Sequence, residues 1–138
     1  MTEPQSLTSR EAGIAMTELN QELARLQRSI RLAIQGQLAK LVGKSLDDLN
    51  QNKELAQTIH QLLDSHGLRV SCSECGHPSI LRVSPRPGVP NGVFVFDHTI
   101  EGKRTFHGGR NVVPSMHLVT KPPRKKAAPP KSIKQAAG

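Results

Sequence analysis

The chain has 138 residues, a formal charge of +8, 36% apolar residues and only 2% aromatics, with neither Trp nor Tyr. This length allows one ordinary domain or a small domain with appendages, and the thin apolar content argues against a large, well-filled core, so a metal or oligomerisation is expected to help it fold. No apolar run approaches the ~20 residues that cross a bilayer, and Met1-Thr2-Glu3-Pro4-Gln5 lacks the layout of a secretory signal, so no membrane role and a cytoplasmic location are expected.

The charge is unevenly placed. Residues 1–66 carry seven Lys/Arg and eight Asp/Glu, residues 67–120 carry six and three, and residues 121–138 carry six and none. A polyanionic partner reached from the C-terminal end is therefore expected, with a nucleoid- or nucleus-associated location if that partner is DNA.

Residues 1–12 are polar and are expected to be disordered. From Met16 the apolar positions run Met16, Leu19, Leu23, Leu26, Ile30 and Ala33, the spacing of an amphipathic helix or a coiled-coil seam. After Ile30 the stripe moves to Ile34, Leu38 and Leu41, a step that breaks the heptad phase. Three readings stay open: a helix packed on its own chain, a homodimer through Met16–Leu41, or a basic helix in a DNA groove. Gly43-Lys44 ends this segment, and Ser45-Leu46-Asp47-Asp48 looks like a fresh N-cap. Leu49, Ala56, Ile59, Leu62 and Leu63 form the next apolar face, with a break expected near residues 50–52. Gly67 suits the left-handed position after a helix, with Leu68 packing back, so residues 13–67 hold two or three helices. His60 and His66 are six apart, share no helix face and are read as solvent-facing or capping.

Residues 68–72 and 80–84 alternate like short strands on either side of a Cys-x-x-Cys turn. Pro85-Arg86-Pro87-Gly88-Val89-Pro90-Asn91-Gly92 reads as a loop. Residues 93–100 and 103–107 then form a hairpin around Glu101-Gly102, and Met116 to Thr120 can add one strand. The fold class is α+β: a helical hairpin or coiled coil, then an antiparallel β module over residues 68–120. Residues 121–138 are Lys/Pro-rich, have little to bury and are expected to be a disordered tail.

Cys72-Ser73-Glu74-Cys75-Gly76 places two thiolates on one tight turn, with Gly76 letting the backbone fold beneath the sulfurs. With a two-residue turn at Glu101-Gly102, Ile100 faces Lys103, His98 faces Thr105 and Phe96 faces His107. His98 and His107 then share one face of the ribbon as diagonal neighbours, about 6–8 Å apart at Cβ. Cys72, Cys75, His98 and His107 are thus the expected ligands of a zinc ion, with His77 as the substitute; Asp97 points to the opposite face. A redox pair or two ordinary buried thiols are the other readings of the cysteines.

The run Cys72-Ser73-Glu74-Cys75-Gly76-His77-Pro78 resembles the knuckle of zinc-ribbon domains, although the second Cys-x-x-Cys of that family is absent. The resemblance implies a structural Zn²⁺ within a ribbon-like β module. A second likeness is to HNH-type nucleases, through Asp97-His98 and His107-Gly108-Gly109-Arg110-Asn111. It implies His98 as a general base, with Asp97 or His107 on a divalent metal; the helix that follows in that family is missing here, where Val112-Val113-Pro114 reads as extended chain.

The reading these residues support is a zinc-binding nucleic-acid-binding or adaptor module with a structural metal, no catalytic residues and no small-molecule substrate. Arg82, Arg86, Lys103, Arg104 and Arg110 would contact nucleic acid from the β module. Lys121, Arg124, Lys125, Lys126, Lys131 and Lys134 would supply salt-dependent phosphate contacts from the tail. A dimeric protein-interaction adaptor is the alternative, and a nuclease the minor one.

Overall fold

The computed structural model describes residues 4–123; Arg124, Lys125, Lys126, Lys131 and Lys134 lie outside them. Helix α1 spans Ser9–Ala39, so the segment expected to be disordered contains a helix start. Thr8 caps it: its hydroxyl accepts from the Glu11 N–H while the Glu11 carboxylate accepts from the Thr8 N–H. That reciprocal pair satisfies two of the donors orphaned at a helix N-terminus, and it outweighs the low apolar content of the first turn.

At ~1.5 Å per residue, α1 is ~46 Å long, yet only its C-terminal end joins the core. Leu38 is buried, Ile34 and Leu41 pack partly against the core cluster, and the Arg31 guanidinium donates to the Leu118 carbonyl. Met16, Leu19, Leu23, Leu26 and Ile30 stay between 40% and 54% exposed. The stripe from Met16 to Leu41 is therefore two surfaces: the chain's own core takes the second, and the first stays outside the core among the described residues.

Helix α2 spans Leu49–Ser65 without a break. Asp48, rather than Ser45, caps it by accepting from the Gln51 N–H. Asn52, read above as part of a break, is fully buried. Its amide accepts from the Leu46 N–H and donates to the carbonyls of Leu46 and Asn91. A residue with poor helix propensity is tolerated there because its side chain satisfies backbone groups that would otherwise be orphaned.

Five strands follow: β1 Leu68–Ser71, β2 Pro78–Arg86, β3 Val89–Ile100, β4 Lys103–Arg110 and β5 His117–Thr120. They form one antiparallel sheet in the order β4-β3-β2-β1-β5. The protein is α+β. The expected loop over residues 85–92 is instead the tip of a long β2–β3 hairpin, with Arg86 facing Val89 and a register shift between Ser84 and Arg86. The prolines are accommodated because they sit at the irregular end of the ladder, where no continuous run of N–H donors is needed.

Ala56, Ile59 and Leu63 of α2 join Leu81, Val83, Phe94, Phe96, Val70 and Leu118 in one core cluster. Val113, after β4, is also buried; it exchanges backbone hydrogen bonds with Gly43 and Lys44, stitching the interhelical connection to the sheet. The core thus extends beyond a ribbon-sized module. Among the described residues no helix is long and apolar enough to cross a membrane.

Candidate metal centre

The knuckle follows β1. The Cys72 carbonyl accepts from the Gly76 N–H at 2.8 Å and the Cys72 N–H donates to the His77 carbonyl at 2.9 Å, which folds the turn beneath the two sulfurs. Because Ser71 pairs with Pro78, this turn joins the β1–β2 end of the sheet. The β3–β4 hairpin supplies the other side. Its register places Ile100 opposite Lys103, His98 opposite Thr105 and Phe96 opposite His107. Glu101 and Gly102 both have positive φ, the condition for a two-residue turn whose twist matches the strands.

The Cys72 Sγ lies 3.3 Å from His107 Nδ1, and the Cys75 Sγ lies 3.0 Å from His98 Nε2. The ligand atoms of Cys72, Cys75, His98 and His107 all fall within 4.8 Å of one another. The two imidazoles meet edge to face with centroids 4.9 Å apart. A tetrahedral ion with bonds of ~2.3 Å to sulfur and ~2.0 Å to nitrogen needs S···N edges near ~3.5 Å. The two sulfur–nitrogen contacts lie about 0.2–0.5 Å inside that edge and the four ligand atoms span no more than 4.8 Å, so small side-chain shifts would fit the donor set to a tetrahedral metal. Two thiolates and two imidazoles are donor types that bind a metal ion.

The surroundings prepare the ligands. His98 Nδ1 donates to the Thr105 carbonyl at 2.7 Å, which leaves Nε2 as the lone-pair nitrogen facing Cys75. Burial opposes charge on His98, but the bonds to Thr105 and Cys75 outweigh it and raise its pKa. Burial also pushes the Cys72 thiol up. At Cys75 burial acts in the same direction, yet hydrogen bonds from the His77 N–H and ring, Cys72 and His98 prevail and bring it down to about 6. This downward shift favours the thiolate at Cys75, the form that binds metal.

Two features of this site were not anticipated in the sequence. The Glu74 carboxylate accepts from the Gly108 N–H at 2.7 Å, tying the knuckle directly to the hairpin. Gly108 must be glycine there: an added Cβ would lie 3.0 Å from the Phe94 carbonyl oxygen, and φ is +99°. Gly109 is the extra residue of a bulge that lets Phe94 face Arg110 while Val95 faces Gly108. The Gly-Gly pair was the available signal, here a bulge beside the ligand-bearing strand.

His77, the substitute ligand, is exposed and outside the four-residue cluster, its ring centroid 6.1 Å from that of His98. Asp97 faces away from the cluster. It is buried, and its carboxylate accepts from Arg82 Nε at 2.5 Å and from Arg104 Nε and Nη2 at 3.1 and 2.8 Å. Arg104 first and Arg82 second hold its pKa below the usual carboxylate range, against the effect of burial. Of the residues in the nuclease likeness, His98 and His107 lie in the cluster, Asp97 is engaged by two arginines on the other face, and a strand rather than a helix follows the hairpin.

The other cations lie apart. Arg86 reaches the Gly109 carbonyl, Lys103 and Arg110 are exposed on β4, and Lys121 pairs with Asp64 at 2.6 Å. His60 is half-buried and His66 caps α2. No protein-family model, no curated protein and no solved structure matches this chain.

Proposed function

We propose that this protein is a nucleic-acid-binding module whose β-hairpin and knuckle are fastened by a structural zinc ion. The observation that carries it is the convergence of Cys72, Cys75, His98 and His107 from two separate hairpins onto one ion-sized volume. The metal would close loops of about 20–35 residues and stabilise a chain poor in aromatic residues. Its role is structural because four protein ligands leave no open position for substrate. The positive charge of the C-terminal half supports the nucleic-acid assignment, since phosphate neutralisation by Lys and Arg drives such binding.

Two measurements test this reading. Native mass spectrometry should find one zinc per chain; a metal-free, fully folded protein would remove the staple. Deleting residues 121–138 should preserve folding, lower affinity for DNA or RNA and flatten its salt dependence. Equal binding by the truncated and full chains at every salt concentration would remove the tail from the interface.

The exposed stripe of α1 favours a second reading, a dimeric adaptor. Met16, Leu19, Leu23, Leu26 and Ile30 form a continuous apolar face that stays outside the core cluster among the described residues. An isolated helix of this composition is marginal in water. The flanking positions Gly13, Ala15, Asn20, Glu22, Gln27 and Ser29 carry a single charge, so two copies can meet without like-charge repulsion. The occupant is a second copy of this chain. Light scattering should report a dimer for the native chain and a monomer for Leu23→Glu; a monomeric native chain at high micromolar concentration would end this reading.

A further inference from the structure

We propose that the sheet face opposite the Leu81–Phe94–Phe96 core binds the phosphate backbone of single-stranded nucleic acid, through Arg82 and Arg104 held by Asp97, with Phe106 beside them. This rests on the nucleic-acid reading and supplies it with a site in the folded domain, separate from the tail.

The register sets the layout. Arg82 faces Val95, Asp97 faces Phe106 and Thr99 faces Arg104, so these residues share the face that His98, Phe96 and Phe94 do not use. Asp97 is 7% exposed, whereas the Arg82 and Arg104 side chains are 49% and 63% exposed. The carboxylate takes Arg82 by Nε alone and Arg104 by Nε and Nη2. Both Nη groups of Arg82 and Nη1 of Arg104 have no partner among the described residues. Two forks pinned at one edge, with free donors at the other, suit the bidentate geometry of a phosphate oxyanion.

Three further observations separate this from a salt bridge that merely joins strands. Arg69, Ser79 and Thr99 line the same depression as Arg82, Asp97 and Arg104, a space of about 330 Å³ that a phosphate can enter. The surroundings carry more positive than negative charge: among the described residues, Arg69, Arg82, Arg104 and Lys121 share only the carboxylates of Asp64 and Asp97. Phe106 is 52% exposed although every other phenylalanine is buried, and the Arg104 guanidinium lies 5.1 Å from its ring centroid. An exposed ring beside a fixed guanidinium offers a stacking surface next to a phosphate contact. A duplex keeps its base faces covered, so only an unstacked base can use that ring. One ring serves one base, which implies weak sequence preference.

The test uses full-length metal-loaded protein, a labelled oligothymidylate and a duplex of equal length. Phe106→Ala should lower single-strand affinity about ten-fold, the scale of one lost base stack, and leave duplex affinity within about two-fold. Arg104→Ala should lower single-strand affinity and reduce the salt slope by about one, whereas Arg104→Lys should keep the slope and still lose affinity. Circular dichroism and zinc content establish that each variant is folded. If Arg104→Ala unfolds, Phe106→Ala decides, because half of that ring is already in solvent. Wild-type binding with no change in Phe106→Ala or Arg104→Lys overturns this site and leaves the nucleic-acid reading resting on the tail. No wild-type binding to either oligonucleotide overturns both. Displacement of the oligonucleotide by inorganic phosphate at matched phosphate concentration also overturns the site, by showing that free phosphate is the ligand.

Discussion

Replacing Asn52 by alanine should destabilise the fold by about 2–4 kcal/mol, since three hydrogen bonds are lost and each contributes about 0.5–1.5 kcal/mol net when its partners stay sheltered. The side chain is completely buried and bridges three backbone groups: the Leu46 N–H at 2.9 Å, the Leu46 carbonyl at 3.0 Å and the Asn91 carbonyl at 3.0 Å. Alanine leaves the Leu46 N–H and the Asn91 carbonyl unpaired beside a small void, with only the longer bond from Asn91 Nδ2 at 3.3 Å remaining to the Leu46 carbonyl, while the Asp48 cap and the core face of α2 remain. Urea unfolding followed by far-UV circular dichroism should show the midpoint move down by about 1–2 M, given a denaturant slope of about 1–3 kcal/mol/M. Asn52→Asp should cost at least as much, because a carboxylate oxygen would replace the donor that faces two carbonyls. Zinc retention should be unchanged below the transition, since His98 lies at the far end of β3. A midpoint shift under about 0.5 M for Asn52→Ala, with the slope unchanged, would refute the argument that this amide holds α2 to the β2–β3 hairpin.

His98→Ala and His107→Ala should each weaken zinc retention in a competition with a colorimetric chelator, while His60→Ala and His66→Ala should not; equal loss from His60→Ala would show the ligand set to be wrong. Glu74→Ala should lower zinc affinity about ten-fold without changing the ligands, as removal of an outer-shell anchor does, and an unchanged chelator titration would show the Gly108 contact to be incidental. Asp64 has its pKa lowered to about 2 by hydrogen bonds from Lys121 and then Arg69, against a burial effect. Its folded-state pKa is depressed, so its contribution is present above the unfolded value near ~3.9 and is lost as pH falls through about 2. The difference in urea midpoint between the native chain and Asp64→Asn should therefore shrink between about pH 5 and about pH 2; a difference that stays constant would contradict the assignment.

Local chemistry was readable where neighbours in sequence decide it. The pairing of His98 with Thr105 and of Phe96 with His107 follows from a two-residue turn at Glu101-Gly102, because register propagates rigidly along a ladder. The stop at Gly67-Leu68 was readable for the same reason: Gly67 takes φ of +69° and Leu68 is buried. The capping box at Thr8 and Glu11 is equally local, but it opens a first turn without the apolar residues that usually mark a helix start. The prolines of residues 85–92 misled in the opposite direction: composition alone does not reveal that they fall at a hairpin tip.

What the sequence by itself determined is the α+β class and the chemistry its segments carry: two thiolates on one turn, two imidazoles on one ribbon face, an apolar stripe on a helix and cations toward the C-terminus. These depend on spacings of two to nine residues, which backbone periodicity converts directly into geometry. Only the tertiary structure decided which of these meet. Cys72 reaches His107 across 35 positions and Cys75 reaches His98 across 23, because the Ser71–Pro78 pairing and the Glu74–Gly108 bond bring the knuckle to the β3–β4 hairpin. It likewise divided one apolar stripe, drawing Ile34, Leu38 and Leu41 into the core and leaving Met16 to Ile30 outside. Such pairings are set by competition among distant surfaces for burial and for hydrogen-bond partners, and no local pattern records its outcome.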